Sequence, residues 1–296
     1  MELRFASWNV RNLSDELKTD GLLRLLARED PDILALQEVN PQFHAKLAES
    51  DRFCWAVSSL EIRPPSAEDI GDHRRRGCSL LGKSGFVFLS AEVLHTVPYP
   101  EQTLAAKISC SGAPLTVCAF HIPPGSSHSK EKVLHLYSIA YWLGMRALSS
   151  GLVLGMDANE PESDHRDIAD NGYFRYGAAA LLSGRAPTKV KPNSGSETWH
   201  PLEDTFRAYL RQTPGRADEI RQEELKQGVR DSDGSDTPLA VSYNRDHGNP
   251  KGACRYDFIY ATSDIHVKDV RYLYKESCEE AGSDHAMVVA ELEVAN

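Results

Sequence analysis

The chain predicts an α/β (α+β) fold of two packed mixed sheets flanked by helices. Strand-like apolar runs and helical patterns interleave along all 296 residues, with no visible internal repeat. The central runs and their partners read as buried and paired, as sheet-on-sheet packing requires. Five stretches place metal- or phosphate-handling side chains at the ends of such runs. They are SWNV with Asn9, LQEVN with Glu38, FHIPP with His121, GMDANEP with Asp157 and Asn159, and the pair RYDFIYAT and GSDHAMV with Asp257, Asp284 and His285.

LRFASWNV alternates as a strand and ends at Asn9. A helix follows, with Ser14 or Asp15 as N-cap and Leu22, Leu23, Leu25 and Leu26 on one side. Asp30-Pro31 closes it, because the residue before proline is pushed out of the helical region. Ile33 to Leu36 form a compact buried strand leading to Glu38, and a second helix covers Pro41 to Ala48. The stretch from Ser58 to Asp72, rich in Pro, Glu, Asp and Ser, reads as a loop. Strands are predicted at Cys78–Leu81, Phe86–Leu89, Ala105–Ser109 and Leu115–Phe120, the last delivering His121 into a Pro-Pro-Gly turn.

Lys130 to Leu148 reads as one long amphipathic helix, with Val133, Tyr137, Ala140, Tyr141, Gly144 and Leu148 at helical spacing. Leu152–Leu154 is a short buried strand that ends at Asp157 and Asn159. Ser183 to Glu197 and Gln212 to Asn249 are polar and bear Gly and Pro. The second holds a surface helix, Ala217 to Gly228, with too few apolar positions for a core face. It is therefore an excursion, around 212–249, from a single domain spanning 1–296. Tyr256–Thr262 and Met287–Val294 are the closing strands.

Composition sets the outer limits. With 41% hydrophobic and 26% charged residues, the chain is globular and able to bury a core. No apolar stretch approaches the ~20 residues of a membrane span. Met1 runs directly into the first strand without a secretory signal. Six cysteines show neither CxxC nor Cys/His zinc spacing, so reduced thiols and a cytoplasmic home are expected, with Cys110 and Cys118 as small core residues. A net charge of -10 weighs against a protein that grips nucleic acid over a broad surface. The basic clusters Arg74-Arg75-Arg76 and Lys189/Lys191 are solvated loops or the lining of a substrate path. Trp55 and Trp199 read as core or rim residues rather than stacking platforms.

Asn, Glu, Asp and His converging from many strand ends are what a divalent-metal phosphodiesterase centre needs. A carboxylate just after the buried run ILAL, as Glu38 is, must face a cleft, pair, or bind a cation. An imidazolium such as that of His285 can hold a transferring phosphoryl group, provided a carboxylate orients it. In order and wording these motifs resemble the endonuclease/exonuclease/phosphatase superfamily of deoxyribonuclease I-like metallohydrolases, over roughly residues 3 to 293.

That resemblance implies a four-layer αββα sandwich and a role for each residue. Glu38 is the main metal ligand with Asn9 beside it, and Asp284 binds directly or through water. Magnesium is the implied ion, with manganese as the alternative. Asp257 is implied as the partner that orients His285. GMDANEP resembles the family's Gly-Asp-Phe-Asn element, with Met156 and Ala158 in the flanking slots. There Asp157 orients the attacking water and Asn159 donates to a phosphate oxygen, or both hold a second metal. His121 contacts the scissile phosphate, and its carboxylate partner is not identifiable in the sequence. Lys107 lies in a strand where relatives present basic residues to the cleft. Arg11 stands where the abasic-site branch carries an acidic residue, which argues against that branch and offers a phosphate contact.

The expected function is hydrolysis of a phosphodiester by in-line attack of water, with nucleic acid favoured as substrate and DNA over RNA. A phosphatase or lipid phosphodiesterase would use the same site, and a non-catalytic binding module would keep only the fold. No obligate protein partner is visible.

Overall fold

Uniformly apolar strands fill the centre because both of their faces are covered. A computed structural model describes residues 1–11, 16–64, 75–125, 128–146, 151–160, 200, 202–231, 238–245 and 252–294. In chain order the strands of the first sheet are β1 (Glu2–Asn9), β2 (Ile33–Val39), β3 (Trp55–Ser58), β4 (Gly77–Gly82), β13 (Ile265–Leu273) and β14 (Met287–Val294). Their spatial order is β13-β14-β1-β2-β4-β3. The second sheet comprises β5 (Phe86–Glu92), β6 (Thr103–Cys110), β7 (Ala113–His121), β8 (Gly151–Asp157), β9 (Leu202–Asp204) and β12 (Asp257–Thr262), in the order β5-β6-β7-β8-β12-β9. A two-stranded ribbon joins β10 (Tyr243–Asn244) to β11 (Ala253–Cys254).

The period of two within each strand sorts its side chains between layers. Ile33 and Ala35 of β2 face the core between the sheets, with Phe5, Leu104, Val117, Val153 and Val288. Leu34 and Leu36 face outward, under α1 (Glu16–Glu29) and α2 (Pro41–Ala48), against Leu22, Leu25, Leu26, Phe43 and Leu47. On the far side Phe120, Leu154 and Met156 meet Leu136, Ile139, Ala140 and Leu143 of α4 (Ser129–Arg146). The result is the four-layer αββα sandwich. The sheets approach closely at Gly155, where a Cβ would stand 2.6 Å from Ser7 Oγ and 3.1 Å from Ala35 Cβ.

Local signals act as expected at several ends. Asp30, before Pro31, turns to φ 45° and ends α1. Asn40 accepts from Phe43 N at 2.8 Å and caps α2. The N-cap expected at Ser14 or Asp15 lies outside the described residues, as do Leu148, Trp199 and the stretch Ser183 to Glu197. All six cysteines are free, and Cys110 and Cys118 are buried. Among the described residues, no helix is long and apolar enough to cross a membrane.

Other readings need correction. The loop expected from Ser58 begins with one helical turn, α3 (Ser59–Ile62), closed by a capping box between Ser58 and Glu61. β3, only four residues long, is an edge strand outside the predicted set, and its residues are mostly half-buried. On α4, Tyr137 and Tyr141 are exposed and the buried stripe runs through Leu136, Ile139, Ala140 and Leu143 instead. Counting aromatic residues as core had rotated the predicted face.

The excursion around 212–249 is also more deeply embedded than its polarity suggests. Within it Leu239 to Ser242 are fully buried, and just before it α5 (Thr205–Gln212) inserts Phe206 and Leu210 into the inter-sheet core. α6 (Arg216–Lys226) buries Arg221 and Glu224 rather than an apolar stripe. Glu224 takes both Nε, at 2.7 Å, and a terminal nitrogen of Arg230, and accepts from Val241 N at 2.9 Å. Paired charge does there what an apolar face does elsewhere.

Candidate active site

Strand direction brings the five motifs to one end of the sandwich. β1 and β2 run parallel, as do β7 and β8, so Asn9, Glu38, His121 and Asp157 all stand at C-terminal strand ends. β12 and β14 run against them, so Asp257 starts its strand there and His285 just precedes its own. His121, Asp157 and Asp257 are register neighbours across β7, β8 and β12. The loop before β14 is fastened to β1. Ser283 Oγ donates to Asn9 O at 2.7 Å, and Trp8 Nε1 donates to His285 O at 3.0 Å.

Asp157 is the hub. Its Oδ2 accepts from Asn9 Nδ2 at 2.8 Å, and its Oδ1 accepts from Asn159 N at 3.0 Å. His121 Nε2 is 3.5 Å from Asp157 and 3.8 Å from Glu38, while His285 Nε2 is 3.9 Å from Asp157. These links join Glu38 to the terminal Asp-His doublet through one contiguous cluster. His121 therefore finds its carboxylates in Glu38 and Asp157.

Two backbone turns aim side chains inward. Glu38 adopts φ 55° within an irregularity of the β2–β4 pairing, a strained conformation for a residue with a side chain. Asn159 sits at φ 49°, which asparagine tolerates, and its Nδ2 donates to Ile122 O at 2.8 Å.

His285 Nδ1 lies 2.9 Å from Asp257 Oδ2, and both residues are buried. Burial works against the imidazolium, but the Asp257, Asp157 and Asp284 carboxylates outweigh it and hold the His285 pKa above its ordinary value. Burial raises the Asp257 carboxyl, His285 pulls it back, and Asp157 adds to the rise. At neutral pH the pair is an imidazolium on a carboxylate.

The outermost carboxylates each meet an arginine. Arg76 donates to Glu38 Oε2 at 2.8 Å, and Arg11 Nε stands 3.4 Å from Asp284 Oδ2. Arg76 belongs to the basic run noted in the sequence, and its role was not recognised there. Lys107 is not part of this cluster. It pairs with Thr116, five positions before His121, so it lies on the order of 17 Å along the sheet, exposed to solvent. A strand's charge reaches a site only from the end nearest it.

Sequence reading also missed Ser242 and Tyr243. Ser242 Oγ accepts from Tyr256 N at 2.8 Å and Asp257 N at 3.0 Å, and the Tyr243 ring stacks on His285. Neither carries a motif, since both enter from the polar excursion.

The donors fit a hard divalent cation. Carboxylate oxygens of Asp157 and Asp257 lie within 4.8 Å of each other beside His285. Asp284 Oδ1 is buried with no hydrogen-bond partner among the described residues. Carboxylate and amide oxygen donors suit magnesium or manganese.

Similarity to known proteins agrees with this geometry. The Endonuclease/Exonuclease/phosphatase family matches residues 6–285. No curated protein matches the sequence. Among solved structures, D. rerio TDP2 complexed with single strand DNA product is 17% identical, with a TM-score of 0.64 and 99% of each chain covered. The human nocturnin catalytic domain with bound sulfate anion is 15% identical with a TM-score of 0.61, covering 99% of this chain and 94% of that one. An endonuclease/exonuclease/phosphatase from Bacteroides vulgatus is 14% identical with a TM-score of 0.62, and each chain is fully covered.

Proposed function

The chain belongs to the endonuclease/exonuclease/phosphatase family, a family of phosphoester hydrolases, and on that premise we propose that it is a divalent-metal-dependent phosphodiesterase acting on nucleic acid, DNA before RNA. The observation that carries this reading is the buried His285–Asp257 pair, which faces Asp157 within the cluster that also contains Glu38. The DNA product bound by the TDP2 of similar fold favours nucleic acid over lipid.

Glu38, Asn9 and Asp284 would hold magnesium or manganese. Bound there, such an ion supplies a positive charge that polarises the phosphoryl oxygens. Asp157, fixed by Asn9 and Asn159, orients the attacking water and takes its proton. The imidazolium of His285 donates to a non-bridging oxygen as negative charge grows there. His121 and Asn159 Nδ2, 3.4 Å apart, face the same phosphoryl group from β7 and β8. Arg76 and Arg11 flank the carboxylates and hold the anionic substrate against a chain whose net charge is -10.

The test offers metal-replete protein plasmid DNA, single strands, RNA and bis(p-nitrophenyl) phosphate, with Glu38→Ala and His285→Ala alongside. Hydrolysis that needs the added metal and disappears in both variants is expected. Cleavage that persists in either variant, or with chelator present, removes the reading.

A further inference from the structure

Hydrogen bonding leaves one degree of freedom of the His285 ring unaccounted for. Asp257 holds its Nδ1 edge, yet a bond along one edge lets the imidazole rock about that axis. Tyr243 supplies the missing constraint. Its ring stacks on His285 with centroids 4.6 Å and planes 30° apart, and Tyr256 stacks on Tyr243 at 5.5 Å and 20°. The backbone repeats the connection. Tyr243 forms an isolated antiparallel bridge with His285, and Ala286 N donates to Ser242 O at 2.7 Å. Cys254 Sγ donates to Tyr243 O at 3.4 Å from the partner strand of the ribbon.

Two consecutive residues of the polar excursion thus grip both halves of the pair. Ser242 binds the Asp257 main chain, and Tyr243 covers the His285 ring. Tyr243 stacks with both Tyr256 and His285, so its ring serves the protein.

Resting on the phosphodiesterase reading above, we propose that Tyr243 is the positioning residue of His285, fixing the imidazole plane in which the ring meets the phosphoryl group. A ring free to tilt spends only part of its time aligned, so losing the stack lowers turnover without loosening substrate.

Full-length protein with magnesium and bis(p-nitrophenyl) phosphate tests this. Tyr243→Leu is expected to lower kcat about tenfold with KM within about twofold, and Tyr243→Phe to restore kcat to within about threefold. Melting temperatures of the two variants should agree, so that stability does not explain the split. Tyr243→Met, which keeps the volume, replaces the leucine variant if that fails to fold. Wild-type kcat in the non-aromatic variant overturns the proposal, as does a phenylalanine variant equally impaired. Proton NMR of the His285 ring, assigned against His285→Ala, separates this from the functional reading. An upfield shift abolished by Tyr243→Leu upholds the stack even if the wild type hydrolyses nothing, whereas an unchanged shift sinks it.

Discussion

Asn9 Nδ2 donates to Asp157 Oδ2 across 2.8 Å and so ties the end of β1 in one sheet to the end of β8 in the other. Asp157 is buried, and every donor it keeps offsets the cost of its charge. Asn9→Ala should therefore destabilise the fold by about 1–3 kcal/mol in urea unfolding and also lower hydrolysis. Asn9→Asp sets a second carboxylate against Asp157 and should be worse still. An Asn9→Ala protein as stable as wild type would show that this bond is not a support.

Arg76 and Lys107 make opposite predictions. Arg76 sits on Glu38, so Arg76→Ala should raise KM for a phosphodiester about five- to tenfold. Lys107 lies far along β6, and Lys107→Ala should leave both kinetic constants at wild-type values. Steady-state kinetics of the two variants decide this, and a Lys107 effect as large as that of Arg76 would relocate the substrate path.

Gly155 marks a close approach between the sheets. A methyl group there meets Ser7 Oγ at 2.6 Å and Ser7 Cβ at 2.7 Å. Gly155→Ala should cost about 1–3 kcal/mol, because Ser7 Oγ can rotate away but the Cβ of Ser7, fixed by its strand, cannot. Ser7→Gly in the same chain should recover part of that loss in a double-mutant cycle of denaturation midpoints. Additive losses would mean that the clash lies elsewhere.

His135 gives the fold an acid limit. It is fully buried on α4, and both ring nitrogens lack hydrogen-bond partners among the described residues. Burial first, and the charge of His121 second, lower its pKa from 6.5 to about 3. Above pH 6.5 the ring is neutral in both folded and unfolded chains, so it adds no slope. Below that, the unfolded chain takes up a proton that the folded one refuses, and stability falls as pH drops toward 3, by up to about 1.4 kcal/mol per unit. His44 is lowered by burial too, so it adds slope of the same sign. His135→Leu should flatten the decline between pH 6 and 4 in urea titrations. An unaltered slope would assign the acid limit to other groups.

The sequence showed the strand-end chemistry because each functional residue adjoins an apolar run long enough to be recognised, Asn9, Glu38, His121 and Asp157 at the end of one and Asp257 and His285 at the start. Asn9 after LRFASW and His121 after LTVCAF are legible for that reason, and the register of β7, β8 and β12 then aligned His121, Asp157 and Asp257 in one row. Lys107 failed the same test in reverse. Its strand was read correctly, but the distance of a residue from the site end depends on pairing, which a single strand does not reveal. Tyr137 and Tyr141 misled the reading of α4 because an aromatic residue suits either core or surface.

By itself the sequence showed two packed sheets flanked by helices and the acids and imidazoles at strand ends, since such patterns act over a few residues. The resemblance of its motifs implied the four-layer sandwich and the family. Tertiary structure alone decided that Arg76 joins Glu38, that Glu38 and Asn159 turn through positive φ, and that Ser242 and Tyr243 return from a polar excursion to clamp Asp257 and His285. Those contacts join residues far apart in the chain or impose a backbone turn that no local pattern records. They arise only where two sheets and a returning loop meet.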